Sequence, residues 1–174
     1  MTADETVFTG RLIKLVLRDV VLQDGSRKRR EIIVHPGAAA VLAVRNGGMG
    51  AEVLLVEQFR KAVERTTLEI PAGTLEEGET PEECARRELL EETGYDAMRF
   101  EKLISFFPSP GYSNEVIHIF KATELRSVGD AELKPIFMPV EKVLAKIRSG
   151  EIKDGKTIIG ILFLTQCIDA LAGK

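Results

Sequence analysis

Basic excess is missing from this chain: its formal net charge is −3 and its pI is near 5.6. Without a cationic footprint the electrostatic term that dominates nucleic-acid affinity is absent, so no nucleic-acid partner is expected. Long apolar runs are also missing. The stretches from Gly37 to Val44 and from Ile158 to Leu164 fall well short of the roughly 18 to 20 residues that cross a bilayer, so no membrane segment is expected. The first residues, Met1-Thr2-Ala3-Asp4-Glu5, have neither the positive region nor the apolar core of a secretory signal, and a cytoplasmic location is expected. Cysteine occurs twice, at Cys84 and Cys167. Each sits in an apolar helical pattern far from the other, which points to buried thiols rather than a disulfide or a metal pair.

What is there fits one ordinary globular domain: 174 residues, 44% hydrophobic and 29% charged. From Val7 to Val34, apolar bursts are broken by Gln23-Asp24-Gly25-Ser26, a hairpin signal because Asp-Gly tolerates positive φ. This segment is too small to bury its own apolar face, so it must pack on the rest of the chain or on a second copy. The runs Ala38 to Val44 and Glu52 to Glu57, joined by Asn46-Gly47-Gly48-Met49-Gly50, read as a hairpin. Further strands are expected at Thr67 to Ile70, Met98 to Phe106, Glu115 to Ala122 and Lys134 to Met138. Thr80-Pro81-Glu82-Glu83 carries the signature of a capping box and Gly94 of a helix stop. A second helix follows Pro139, with Val140, Val143, Leu144 and Ile147 on one face, and a third runs from about Thr157 to Leu171. Strands interspersed with three helices predict an α/β fold, helices sandwiching a mixed sheet, with a small N-terminal antiparallel β segment.

Chemistry concentrates between Gly73 and Tyr95, in G-T-L-E-E-G-E-T-P-E-E-C-A-R-R-E-L-L-E-E-T-G-Y. On a helix, Glu88 and Glu92 lie one above the other with Glu91 beside them. Such like charges repel by a few tenths of a kcal/mol per pair unless a cation sits between them. Mg²⁺ takes oxygen ligands, using one or two carboxylates together with substrate phosphate oxygens, and this face can supply that set. A solvated acidic face is the ordinary reading of a glutamate-rich helix, and the whole pattern decides against it. The segment matches G-x5-E-x7-R-E-U-x-E-E-x-G-U, with U a bulky apolar residue, at Gly73, Glu79, Arg87, Glu88, Leu89, Glu91, Glu92, Gly94 and Tyr95. Chance agreement at one register is on the order of one in 10⁵.

That motif is the Nudix box, and the chain resembles the Nudix hydrolase family. The resemblance implies an α/β/α sandwich with the box as loop-helix-loop, and hydrolysis of a nucleoside diphosphate linked to another moiety with Mg²⁺, or Mn²⁺ in its place. It implies that Glu88 and Glu92 are the main metal ligands, that the carbonyl of Ala72 is another, and that Glu91 supports the site. Arg87 would hold the carboxylates by ion pairing and Glu79 would stabilise the loop-helix arrangement.

Outside the box, over roughly residues 29 to 160, the chain is similar to the ADP-ribose pyrophosphatase branch of that family. The matching segments are Arg29-Arg30-Glu31-Ile32-Ile33-Val34-His35-Pro36-Gly37-Ala38, Glu57-Gln58-Phe59-Arg60-Lys61 leading to Leu68-Glu69-Ile70-Pro71-Ala72-Gly73, and Ser109-Pro110-Gly111-Tyr112-Ser113-Asn114-Glu115. Pro110 stands sixteen residues after Gly94, the spacing associated with ADP-ribose hydrolysis to AMP and ribose 5-phosphate. Two phosphates and two riboses need cationic forks and hydroxyl acceptors, which Arg60 and Glu115 or Glu69 can provide. Ser109 joins this substrate set. Arg30 and Glu31 would help bind the adenosine half, partly across a homodimer interface formed by residues 1–36, with residues 37–174 as the hydrolase domain. Relatives carry an acidic stretch that supplies the water-activating carboxylate, and here it is poorer: Arg126-Ser127-Val128-Gly129-Asp130-Ala131-Glu132-Leu133-Lys134-Pro135. Glu132, at the metal, is the first choice for the general base and Asp130 the second, on a loop that closes over the diphosphate. Structural roles are expected for His35 and His118, and Tyr112 either stacks on the ligand or packs on its neighbours. The same box is compatible with another nucleoside diphosphate sugar or a dinucleotide as substrate, and with a nucleotide-binding regulatory module that does no chemistry.

Overall fold

The computed structural model describes residues 4–48 and 50–172. The polar start at Met1–Ala3, Met49 of the expected turn, and the side chain of Cys167 lie outside the described residues. Ten strands and three helices are described, in the order β1 (Glu5–Thr9), β2 (Lys14–Val21), β3 (Arg27–Val34), β4 (Ala38–Gly47), β5 (Gly50–Arg60), β6 (Arg65–Glu69), β7 (Ala72–Thr74), α1 (Pro81–Thr93), β8 (Tyr95–Phe106), β9 (Ile117–Ser127), β10 (Pro135–Pro139), α2 (Val140–Arg148) and α3 (Gly155–Ala172).

β1, β2 and β3 form a separate antiparallel sheet. Its hairpin turns where expected: Gly25 takes φ 80°, and Asp24 Oδ1 accepts from both the amide and the hydroxyl of Ser26. Val16 is the buried residue of this sheet, while Val7, Phe8, Leu12 and Val21 are more than half exposed.

The larger sheet has seven strands. Its path is β10-β5-β4-β9-β8, with β6 paired to β5 and β7 to β4. β4 and β9 run parallel and the remaining pairs are antiparallel, so the sheet is mixed as expected. β4 sits inside it and is apolar on both faces. Ala40 and Leu42 join Val53, Leu55, Ile119, Val143 and Ile161 on the side covered by α2 and α3. Ala39, Val41 and Ala43 join Leu54, Cys84, Leu89 and Phe120 on the side covered by α1. That two-sided burial makes the α/β/α sandwich, and full burial of a single Leu side chain there stabilises the fold by about 1.5–3 kcal/mol.

Three details of the sequence reading change. β8 starts at Tyr95 immediately after the Gly94 stop and β9 continues to Ser127, because the two strands pair along nearly their whole lengths and tertiary pairing overrides the local signals. The short β7 was not expected; Ala72–Thr74 is too brief to show a period and is a strand because it docks on Ala38–Ala40. α3 begins at Gly155, before Thr157, since Asp154 accepts from the Thr157 amide and hydroxyl in the manner of an N-cap.

Candidate active site

α1 is fixed at both ends by its own sequence. Thr80 accepts from the Glu83 amide while Glu83 accepts from the Thr80 amide, closing the expected capping box, and Gly94 at φ 69° returns its N–H to the Leu90 carbonyl. Between these ends, β7 brings Gly73 against the helix. A Cβ at that position would lie 1.8 Å from Glu88 Oε1, so glycine at position 73 is what lets the Glu88 carboxylate keep this seat against the loop. The amide of Ala72 donates to Glu92 Oε2 at 3.1 Å. The loop backbone therefore touches both carboxylates expected to hold metal.

Arg87 organises the rest. Its Nε and Nη2 grip Glu79 at 2.8 and 3.0 Å, Nη2 also reaches the Thr74 carbonyl, and Nη1 donates to Glu88 at 2.6 Å and Glu91 at 3.2 Å. One guanidinium thus ties the loop to three glutamates. It holds the Glu79 carboxyl down to about 2. Burial acts the other way on the inner pair. Loss of water pushes Glu88 upward despite Arg87, and pushes Glu92 up to about 7 despite the Ala72 amide. Glu91 is half exposed at the helix surface. Cys84 is fully buried beneath the loop, its thiol pushed up to about 12 by burial, so it is inert packing as expected.

Carboxylates crowded in a dry site disfavour their own charge and are relieved by a cation, which makes Glu88, Glu92 and the Ala72 backbone a donor set that fits Mg²⁺. Among the described residues no three His, Cys, Asp or Glu side chains converge into a preformed cage. Mg²⁺ does not require one, because it keeps waters and takes substrate phosphate oxygens.

Beside the helix opens a cavity of about 500 Å³, lined by Ala72, Gly73 and Thr74 together with Phe106, Phe107 and Ile117. Arg60, Glu115 and His35 line it too, as do Asp154 and Lys156, which sequence reasoning missed. Glu69, read as a hydroxyl acceptor, is 3% exposed and already occupied. Its oxygens accept from Arg60 Nε and Nη2 at 2.8 and 2.7 Å, from Thr67 Oγ1 at 2.5 Å, and from Lys156 Nζ. Burial alone would raise Glu69, but these partners hold it down to about 2. It positions the two cations, and Nη1 of Arg60 makes no hydrogen bond among the described residues.

The remaining expected residues are more dispersed. Ser109 accepts from Tyr112 Oη at 3.2 Å, placing Tyr112 against its own loop, and does not line the cavity. Arg30 and Glu31 are exposed on β3, opposite Arg18 and Leu17, and do not line it either. Asp130 and Glu132 are exposed on a segment tied to the end of α1: Glu132 and Leu133 amides donate to the Glu91 and Glu92 carbonyls, and those of Val128 and Gly129 to Gly94. The closing loop expected from the sequence thus has little free backbone with which to swing. His118 bonds Ser105 at 2.7 Å, a structural role.

A glutamate helix laid over a glycine loop, within an α/β/α sandwich and beside a cation-lined cavity, defines a hydrolase of the pyrophosphatase kind. The chain belongs to the Nudix hydrolases: the NUDIX domain model matches residues 34–158. It is 44% identical to an ADP-ribose pyrophosphatase of Bacillus subtilis (strain 168), over 99% of this chain and 95% of that one. It is 41% identical to a methanol dehydrogenase activator of Bacillus methanolicus, over 98% and 94%. A crystal structure of an ADP compounds hydrolase superposes with a TM-score of 0.82 at 20% identity, covering 97% of this chain and 93% of that chain, which confirms the fold. No described helix is long and apolar enough to cross a membrane.

Proposed function

We propose that this chain hydrolyses ADP-ribose to AMP and ribose 5-phosphate with Mg²⁺, or Mn²⁺ in its place. The observation that carries the chemistry is the pair Glu88 and Glu92, desolvated and drawn onto the Gly73 and Ala72 backbone. The substrate rests on the 44% identity to an enzyme of that name across nearly the whole of both chains.

Glu88, Glu92 and the Ala72 carbonyl would hold the ion, with Glu132 contributing from the adjoining segment. When bound, the ion neutralises diphosphate charge and acidifies water. The chain's own residues do the rest. Arg87 keeps Glu88 and Glu91 in place, and Arg60 offers Nη1 to a phosphate oxygen. Glu115 and Ser109 would serve the sugar hydroxyls. Glu132, or failing it Asp130, would take the proton from the water whose oxygen attacks phosphorus as the bridging P–O bond breaks. Because the Glu132 amide is bonded to Glu91, the carboxylate would extend from an anchored backbone.

Arg30 and Glu31 would reach the adenosine half in a homodimer in which β1–β3 of one copy packs on the other; the exposed Val7, Phe8, Leu12 and Val21 support that assembly. The deciding experiment is a substrate panel with Mg²⁺ and product analysis. ADP-ribose should give AMP and ribose 5-phosphate faster than other nucleoside diphosphate sugars, dinucleotides and nucleoside triphosphates. Equal or slower turnover of ADP-ribose would remove the substrate assignment and leave the family intact.

A further inference from the structure

We propose that His35 is a neutral hydrogen-bond donor to a ribose hydroxyl of the substrate, acting through Nε2–H beside the acceptor Glu115. The inference rests on the reading of the substrate as a ribose-bearing nucleoside diphosphate and goes beyond it in naming the group that reads the sugar. It begins with the turn His35-Pro36-Gly37. Gly37 takes φ 103°, and its N–H donates to His35 Nδ1 at 3.0 Å. The His35 amide is held in turn by Asn114 Oδ1 at 2.8 Å. Ring and backbone are therefore each anchored by a hydrogen bond.

An Nδ1 that accepts a hydrogen bond carries no proton, so the neutral ring places its proton on Nε2. The same bond decides the meaning of Glu115, whose Oε1 lies 3.8 Å from Nδ1. A charged pair at that distance would need a proton on Nδ1, which would then face the Gly37 N–H at 3.0 Å, donor against donor. The two side chains are neighbours rather than an ion pair. Each keeps its own polar function: Nε2–H donates and the carboxylate accepts.

Both functions are available to a ligand. The His35 side chain is only 10% exposed, yet Nε2 makes no hydrogen bond within the described residues and no side-chain nitrogen or oxygen among them is sealed away without a partner. Nε2 must therefore retain solvent access, and His35 and Glu115 both line the cavity next to Gly73 and Arg60. A donor and an acceptor side by side match one hydroxyl that receives and another that gives, the pattern of a vicinal diol. A donor and acceptor that bond a hydroxyl disfavour the analogue that lacks it, by about the worth of the hydrogen bond lost.

His35→Asn is the informative variant, since Asn Oδ1 can still accept from the Gly37 amide in an Asx turn while the side chain has nothing at the Nε2 position. His35→Ala is its companion, and thermal melting separates loss of fold from loss of the donor. Steady-state kinetics would use ADP-ribose and two analogue sets, one lacking a hydroxyl on the adenosine ribose and one lacking a hydroxyl on the distal ribose. One set should raise the parent enzyme's KM by about three- to tenfold with kcat retained, the worth of one neutral hydrogen bond. His35→Asn should show that loss on ADP-ribose and no further loss with the same set, which also tells which ribose is read. Parent and variant discriminating alike against both sets would overturn the proposal. Nitrogen-15 spectra of the imidazole in the ligand-free protein should show the Nε2-protonated tautomer, and the Nδ1-protonated form would overturn the proposal without any turnover. If ADP-ribose is not hydrolysed, the activity reading falls separately. In that case the Nε2–H resonance must still shift on adding AMP or ribose 5-phosphate, and no shift with either overturns the inference.

Discussion

The Glu88 carboxylate occupies the space that a side chain on Gly73 would need: Oε1 would be 1.8 Å from a Cβ there. Gly73→Ala should expel Glu88 from its seat while leaving α1 capped at both ends. Turnover should fall by at least about 10² through loss of transition-state stabilisation, and stability by about 1–3 kcal/mol from overpacking. Kinetics and thermal melting of the variant check both, and an unchanged rate would separate Gly73 from the chemistry.

Glu92 predicts opposite effects of one substitution on stability and on rate. Its folded value of about 7 lies above the ordinary 4.5, so the native state binds the extra proton and metal-free stability falls as pH rises from about 4.5 through 7. The penalty is on the order of 3 kcal/mol when complete. Glu92→Gln should therefore melt higher than the parent at pH 8 without metal, turn over substrate several powers of ten more slowly, and gain less melting temperature from added Mg²⁺. A metal response equal to the parent's would remove Glu92 from the ligand set.

At Glu69 the sign reverses. Its value is depressed to about 2, so its stabilisation is present above pH 4.5 and is lost as pH falls through 2. Glu69→Gln should cost about 3 kcal/mol near neutrality, since it takes the counter-charge from the Arg60 fork and leaves the buried end of Lys156 with Asp154 as its remaining anionic partner. Acid denaturation curves should converge below pH 2. KM should rise more than kcat falls if Arg60 then loses its aim.

For the water-activating group, the double variant Glu132→Gln with Asp130→Asn should lose about 10² to 10⁴ in turnover at saturating Mg²⁺ and substrate. Its melting temperature should hardly move, because both side chains are exposed and the segment's hydrogen bonds come from backbone amides. If more than about a tenth of the rate survives, below the loss expected of a base, Glu91 or Glu115 becomes the leading candidate.

Assembly can be checked by light scattering. The chain should run as a dimer, and Phe8→Asp together with Val21→Asp should produce monomers with impaired ADP-ribose hydrolysis. A fully active monomer of the parent protein at assay concentration would rule out a shared site.

The sequence disclosed what is encoded over short distances. The capping box of Thr80 and Glu83, the Gly94 stop, the stacking of Glu88 and Glu92 and the Asp24-Gly25 turn each depend on neighbours within a few residues, and each appears as expected. Lys156 was invisible because its partner Glu69 is 87 residues away, and nothing in Asp154-Gly155-Lys156 distinguishes a site cation from a surface one. Glu69 could be read as polar and near the substrate, but its saturation by Arg60, Thr67 and Lys156 emerges only when β5, β6 and α3 meet. From the sequence His35 reads as structural, and its Nδ1 is; the role of the other nitrogen depends on the Gly37 amide and on a cavity lined by residues distant in the chain, which no local pattern encodes.

Gly94 touches a connecting segment far from it in the chain: a Cβ there would sit 2.4 Å from the Gly129 carbonyl oxygen, while its own carbonyl and those of Glu91 and Glu92 receive amides from residues 128 to 133. The acidic helix is consequently no portable cassette. Transplanting Gly73 to Tyr95 into another scaffold would carry over every acidic side chain and leave the last carbonyls of the helix without donors, fraying the turn on which Glu91 and Glu92 stand. A graft that preserves the geometry must bring two separate lengths of chain, the second contributing mostly its backbone.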